Sequence, residues 1–242
     1  MMAKKTMSVA PVAISLLNEA VIVLNQHWTY PGMDTYAIQY LSLQLLFQKQ
    51  WAGGNNTRTD VVYLKASTLN LYYSTNIVAM HPMAVGISRI HNIDQRLQSG
   101  DPTLVNDIAT IIPRHNYSFA TKYCACHNPI AYPIYDNIVA DFFCEIIRKG
   151  HLHCFQTQKK MKEKMKVDYS FYKAIYTAFM QQYNLTSLTY RDVDWYIWTA
   201  GKLLQNLLTT PAKNKHSINV WTTNKSVMPQ LPQFARLFLL VL

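Results

Sequence analysis

An all-α protein is the fold class this sequence predicts. Apolar residues recur at three- and four-residue spacing in one segment after another, and capping residues stand before several of those segments. Short alternating strands bounded by turns are hard to find, and a 242-residue chain with only seven glycines argues against a sandwich or barrel. Half of the residues are hydrophobic, which excludes a mainly disordered chain and supplies core enough for one large domain or two small lobes. A helical domain is expected over residues 8–208, followed by a basic, loosely ordered extension over residues 209–242.

The elements follow in order. Lys4 and Lys5 precede an apolar stretch in the manner of a signal peptide, but Asn18 and Glu19 interrupt it. Leu16, Leu17, Ala20, Val21 and Leu24 fall at helical spacing, so the segment reads as an amphipathic first helix. No stretch approaches the ~20 uninterrupted apolar residues of a membrane span. A cytoplasmic protein with no membrane partner is expected, and the Asn-X-Ser/Thr triplets at Asn55, Asn116, Asn184 and Asn224 then carry no glycan meaning.

Asp34 is placed to cap a helix carrying Tyr36, Ile38, Tyr40, Leu41, Leu45 and Leu46, ending near Trp51 before Gly53-Gly54. Residues 59–74 hold Val62, Leu64, Leu69, Tyr72 and Tyr73. Ile87, Ile90, Ile93 and Leu97 continue the helical spacing as far as Ser99-Gly100. Asp101-Pro102 starts a short helix over residues 102–112 that Pro113 stops. Asp136 caps a helix over residues 137–149, and Asp168 begins one through Phe171, Ile175, Phe179 and Tyr183. Thr189 with Asp192 makes a capping box for a helix to about Leu208. Val193, Ile197, Ala200, Leu204 and Leu207 form its buried stripe, with Trp195 and Trp198 on the flanks. The tail beyond it carries Lys213, Lys215, Lys225 and Arg236, three prolines and no acidic residue.

A formal charge of +10 points to a polyanionic partner, nucleic acid first and an acidic membrane second. Much of it gathers between Glu145 and Lys166, where Arg148, Lys149, Lys159, Lys160, Lys162, Lys164 and Lys166 face only Glu145 and Glu163. A solvated helix face accounts for such a run as simply as phosphate contact does. With 16 tyrosines and nine phenylalanines, some rings are expected at the surface, where they can stack on bases.

Residues 117–143 are where residue order looks set by chemistry. Lys122 lies early in a helical segment, residues 128–135 form an extended turn, and Asp136 opens the next helix. An amine and a carboxylate presented from adjoining helix starts into one cleft suit nucleophilic attack on a sugar or carbonyl carbon. As a cap alone Asp136 would be worth ~1 kcal/mol.

This segment resembles the helix-hairpin-helix DNA glycosylase superfamily, most closely its 8-oxoguanine glycosylase-like bacterial branch. Thr121-Lys122 matches the position of the family's catalytic lysine, and Pro133-Ile134-Tyr135-Asp136 the loop ending in its aspartate. Residues 69–75 (LNLYYST) and 192–202 also look like stretches of small bacterial proteins of this fold. The resemblance implies a two-lobed helical fold, binding to double-stranded DNA, no cofactor and excision of a damaged or modified base, with oxidised guanine suggested by the branch.

In that scheme Lys122 attacks C1′ of the deoxyribose to give a Schiff base, and Asp136 stabilises the positive charge on the sugar. Arg114, His115 and Asn116, in a hairpin stretch without glycine, and Lys149, Lys159 and Lys160 would contact phosphate. Tyr117, Phe119, Tyr123 and Tyr135 would supply the base pocket, with Asn70, Tyr72 and Tyr73 as further candidates. Two other readings are open. One is a non-catalytic DNA-binding or interaction module on the same scaffold. The other is a zinc-stabilised protein using Cys124, Cys126, His127, His151, His153 and Cys154, although the usual two-residue gap between paired cysteines is missing and no metal ligand is assigned.

Overall fold

The computed structural model describes residues 33–49 and 55–208, with side chains over 38–48 and 55–201. The expected N-terminal amphipathic helix, the helix end near Trp51, and the C-terminal extension lie outside the described residues, as do the side chains of Asp34, Leu204 and Leu207. Among the described residues every regular element is helical, in agreement with the predicted all-α class.

The helices are α1 (Met33–Gln44), α2 (Thr59–Tyr73), α3 (Met80–Ser88), α4 (Ile93–Ser99) and α5 (Thr103–Ala109). They continue as α6 (Tyr117–His127), α7 (Asn137–Arg148), α8 (Met161–Met165), α9 (Tyr169–Gln182) and α10 (Tyr190–Leu208). A π-helical turn, Leu45–Lys49, extends α1 and puts Phe47 edge-on against the Tyr123 and His127 rings of α6.

Capping chemistry starts the later helices where the sequence predicts. Asp136 Oδ1 accepts the Ile138 N–H at 2.8 Å, and Asp168 Oδ1 accepts the Phe171 N–H at 2.8 Å. The Thr189–Asp192 box closes in both directions, with Thr189 N–H donating to Asp192 Oδ2 at 2.8 Å and Asp192 N–H to Thr189 Oγ1 at 3.1 Å. Asp101 Oδ1 accepts from the backbone N–H and the hydroxyl of Thr103, so the Asp-Pro start holds as well.

Two segments differ from expectation. The apolar spacing through Ile87, Ile90, Ile93 and Leu97 is broken into α3 and α4, because Asn92 takes a left-handed conformation (φ 52°) that asparagine tolerates. The helix after Asp101 ends at Ala109 rather than Ile112. Pro113 disfavours helical backbone at Ile112, and the Asn116 N–H donates to Ala109 O at 2.9 Å across the connection.

The core is one cluster rich in rings. Phe143 of α7 meets Tyr176 of α9 at 4.9 Å between centroids, and Phe142 meets Phe179 edge-on at 5.5 Å. Such pairs add ~0.5–1.5 kcal/mol beyond area burial. The predicted stripe on α10 is buried at Val193, Ile197 and Ala200, and α10 packs on α7. Within the basic stretch, Met161 and Met165 bury one side of α8, and Lys162, Glu163 and Lys164 take the other positions.

Gly86 of α3 is packed so closely on Ile111 that a β-carbon there would overlap the isoleucine side chain. Gly86→Ala is expected to lower stability by about 1–3 kcal/mol through overpacking, read as a reduced urea midpoint with an unchanged m-value.

Candidate functional site

The turn over residues 132–136 carries the site and is almost wholly buried, so its backbone polar groups need partners. They find them on two helices. Tyr169 Oη donates to Pro133 O at 3.0 Å, and Tyr172 Oη to Ile134 O at 2.6 Å, both from α9. From α6, Ser118 Oγ donates to Tyr135 O at 3.3 Å, and Thr121 Oγ1 accepts the Tyr135 N–H at 3.1 Å. The turn is thereby fixed against α6 one residue from Lys122, and it delivers Asp136 to the same place.

A cavity of about 290 Å³ opens there. Lys122 and Asp136 both line it, as the sequence predicts, together with Tyr40 and Leu43 of α1, Tyr72 and Tyr73 of α2, and a face of α10. That face consists of Arg191, Asp194, Trp195 and Trp198, at successive spacings of three, one and three residues. The spacing and chemistry of these four were legible in the sequence; what was missing was a reason to read them as a cavity wall rather than as flanks of the apolar stripe.

Lys122 is 6% exposed. Its Nζ donates to Ser118 Oγ at 2.5 Å and lies 5.2 Å from the centre of the Tyr73 ring. Burial pushes its amine below the ordinary lysine range, and the Asp136 and Asp194 carboxyls oppose that shift. Asp136 is half-buried and committed to its helix start through Oδ1.

Asp194, 4% exposed, accepts from Arg191 Nη1 at 3.0 Å through Oδ2, while its buried Oδ1 has no hydrogen-bond partner. Burial raises this carboxyl to about 7 against the pull of Arg191. The Arg191 guanidinium itself lies over two rings, 5.0 Å from the centre of Tyr40 and 5.4 Å from that of Trp195. Trp195 and Trp198 sit 6.3 Å apart, tilted by 33°.

The rings expected in a base pocket lie elsewhere. Tyr117, Phe119, Tyr123 and Tyr135 are all buried, and none lines the cavity. They face the interior side of α6 and of the turn, with Tyr117 edge-on to Tyr135 at 5.2 Å and Tyr123 Oη donating to Asn56 Oδ1 at 2.8 Å. The aromatic wall comes from Tyr72 and Tyr73, which the sequence offered as further candidates, together with Tyr40, Trp195 and Trp198. Asn70 closes the α2–α3 turn, accepting the Ile77 N–H at 2.9 Å.

Among the expected phosphate ligands, Arg114, His115, Lys149, Lys159 and Lys160 are exposed. Lys149 Nζ is 3.5 Å from Glu145 Oε1, and Arg114 Nη1 reaches Asn76 O at 3.4 Å. Asn116 is different: it is buried and its amide donates to Arg114 O, so its side chain is withdrawn from any surface contact. Two other lysines of the basic stretch are engaged locally, Lys162 with Asp141 at 2.6 Å and Lys164 over the Phe171 ring at 4.0 Å. The six cysteines and histidines considered for zinc do not converge: among the described residues no three His, Cys, Asp or Glu side chains come together as a metal site. Cys126, behind the Lys122 wall, has its thiol pushed up to about 12 by burial.

Comparison with known proteins adds a relationship without a function. A family model described as HI_0787_N, N-terminal domain, matches residues 19–131, a span that contains Lys122 and stops short of Asp136 and α10. The chain is similar to a Haemophilus influenzae protein described as uncharacterized, 37% identical over 137 residues. That match covers 55% of this chain and 62% of the relative, so the chain spans less than two thirds of the relative's length. No solved structure matches. No helix among the described residues is long and apolar enough to cross a membrane.

Two outcomes test the geometry. Tyr172→Phe strips the Ile134 carbonyl of its partner and is expected to cost about 1–3 kcal/mol by urea unfolding. Asp194 stays protonated in the folded state up to about pH 7, whereas its ordinary value is 3.8. Between these values the folded state binds the extra proton, so this group makes stability fall as pH rises and its penalty is complete above about 7. Asp194→Asn is therefore expected to remove a slope of up to about 1.4 kcal/mol per pH unit from stability measured between pH 4 and 7.

Proposed function

We propose that this protein is a DNA glycosylase of the helix-hairpin-helix type, excising a damaged or modified base through a Schiff base on Lys122. The observation that carries the reading is a buried lysine amine, shifted toward its neutral form, on the wall of an aromatic-lined cavity. An uncharged amine is the nucleophile such chemistry requires, and desolvation shifts a lysine in that direction.

The chemistry follows from the wall. A base turned out of the duplex enters the cavity and packs on the tryptophan and tyrosine rings. Lys122 Nζ attacks C1′, the glycosidic bond breaks, and the electron pair leaves with the base. Asp136, half-buried on the same cavity, is the group placed to stabilise positive charge on the sugar. Arg114 on the α5–α6 connection, with Lys149, Lys159 and Lys160, supplies the cationic surface for the phosphates, and exposed His115 lies beside Arg114 as a further polar contact. The helix–connection–helix of α5 and α6, leading directly to Lys122, is the element that supports the family reading.

Borohydride trapping tests it. Duplexes carrying 8-oxoguanine, uracil or a plain abasic site are incubated with the protein and reduced. A covalent adduct is expected with at least one of them, lost in Lys122→Gln at unchanged melting temperature. Salt-sensitive DNA binding with no adduct on any duplex would leave a binding module instead, and the absence of both would remove DNA from the account.

A further inference from the structure

We propose that Asp194, rather than Asp136, is the catalytic group that exchanges a proton with the Lys122 amine. The inference rests on the glycosylase reading for its reaction, and on the cavity alone for its geometry. Lys122 and Asp194 line one cavity from different helices, α6 and α10. Arg191 holds Asp194 by Oδ2 alone, and Oδ1 is buried with no donor from the protein. A buried oxygen without a partner is costly to keep, so its retention on a cavity wall points to a donor that arrives during function.

Asp136 is less suited to the task. Its Oδ1 is already bound to the Ile138 N–H, which holds the side chain at its helix start. The two carboxyls on this cavity thus differ in geometry: Asp194 keeps one oxygen free, whereas Asp136 is tied to its helix start.

The proton count closes. The neutral amine forms the N–C1′ bond as the base departs as an anion, leaving a secondary ammonium. Asp194 carboxylate takes one proton from that nitrogen through Oδ1. The nitrogen lone pair then expels O4′, which takes that proton from Asp194 to become the 4′-hydroxyl, and the iminium forms with the departed base anion balancing its charge. No oxidant, reductant or metal enters.

Several other groups bear on the pair. Arg191 pulls the Asp194 carboxyl down and Asp136 pushes it up. Tyr40, Tyr73 and Cys126 flank Arg191, and Tyr172 and Tyr176 approach Asp194 from α9. All of these phenols and the thiol are shifted upward by burial, away from the range in which Asp194 titrates.

The test needs no DNA, so its result is separate from that of trapping. Lys122 is labelled by reductive methylation with formaldehyde and cyanoborohydride across pH 5 to 10, and the modified peptide is quantified by mass spectrometry. In the wild type the reactivity curve is expected to show a step near pH 7, where Asp194 titrates, beneath the main rise. Asp194→Asn should erase the step, whereas Asp136→Asn should move the whole curve to lower pH and keep it. In parallel, the Asp194 carboxyl carbon is titrated by NMR in wild type and in Lys122→Met. The midpoint should rise when the cation is removed, which requires no folded Asp194 variant. Identical methylation curves in wild type and Asp194→Asn, or an Asp194 midpoint unmoved by Lys122→Met, would overturn the proposal.

Discussion

Burial of an irregular turn is the constraint on which this structure depends. Residues 132–136 have no helix or strand to satisfy their backbone, yet they lie in the interior between α6 and α7. Three successive carbonyls, at Pro133, Ile134 and Tyr135, are met by the hydroxyls of Tyr169, Tyr172 and Ser118, and the Tyr135 N–H is met by Thr121. Each of those donors and acceptors sits on a helix that the core already orders. Polar satisfaction and ring packing therefore act on the same residues: Tyr169 and Tyr172 are both core rings and the anchors of the turn. The abundance of tyrosine over phenylalanine in this chain has its physical use here, since a ring with a hydroxyl fills the core and closes a backbone bond at once.

The cavity that this turn borders is electrostatically expensive. A buried lysine and a buried aspartate share the cavity with a partly buried arginine and a second, half-buried aspartate. A scaffold selected for stability alone replaces such a group with apolar side chains at little cost or at a gain. Here the charges are instead arranged so that each is partly compensated: Arg191 by Asp194 and two rings, Lys122 by Ser118 and the Tyr73 face. The arrangement leaves one amine displaced toward neutrality and one carboxyl displaced toward protonation. Opposite displacements in one desolvated space are the arrangement that proton-moving sites use.

Much of the helical layout could be read without coordinates, and the reasons are local. Asp136, Asp168 and the Thr189–Asp192 box are short-range devices, each contained within four residues, and each forms as its spacing implies. The buried stripe of α10 follows from helical periodicity in the same way. The misjudged elements are those where one residue's backbone preference overrides the pattern. Asn92 splits a periodic apolar run in two, and the proline at 113 ends a helix earlier than its apolar residues suggest. Lys122 and Asp136 reach one cavity as expected, because both flank the turn that fixes them.

The sequence by itself determined the helices, their starts and the candidate lysine, because periodicity and capping act within one or two turns of chain. Only the tertiary structure decided which rings meet that lysine. Tyr117, Phe119, Tyr123 and Tyr135 are its neighbours in sequence, but they turn into the core. Tyr40, Tyr72, Tyr73, Trp195 and Trp198 are distant in sequence and form the wall. Asp194 shows the difference most plainly. On its own helix it is one polar residue beside a buried stripe; an unpartnered oxygen on a shared cavity arises only when α10 packs across the chain's earlier helices, and long-range packing is the information that local spacing does not carry.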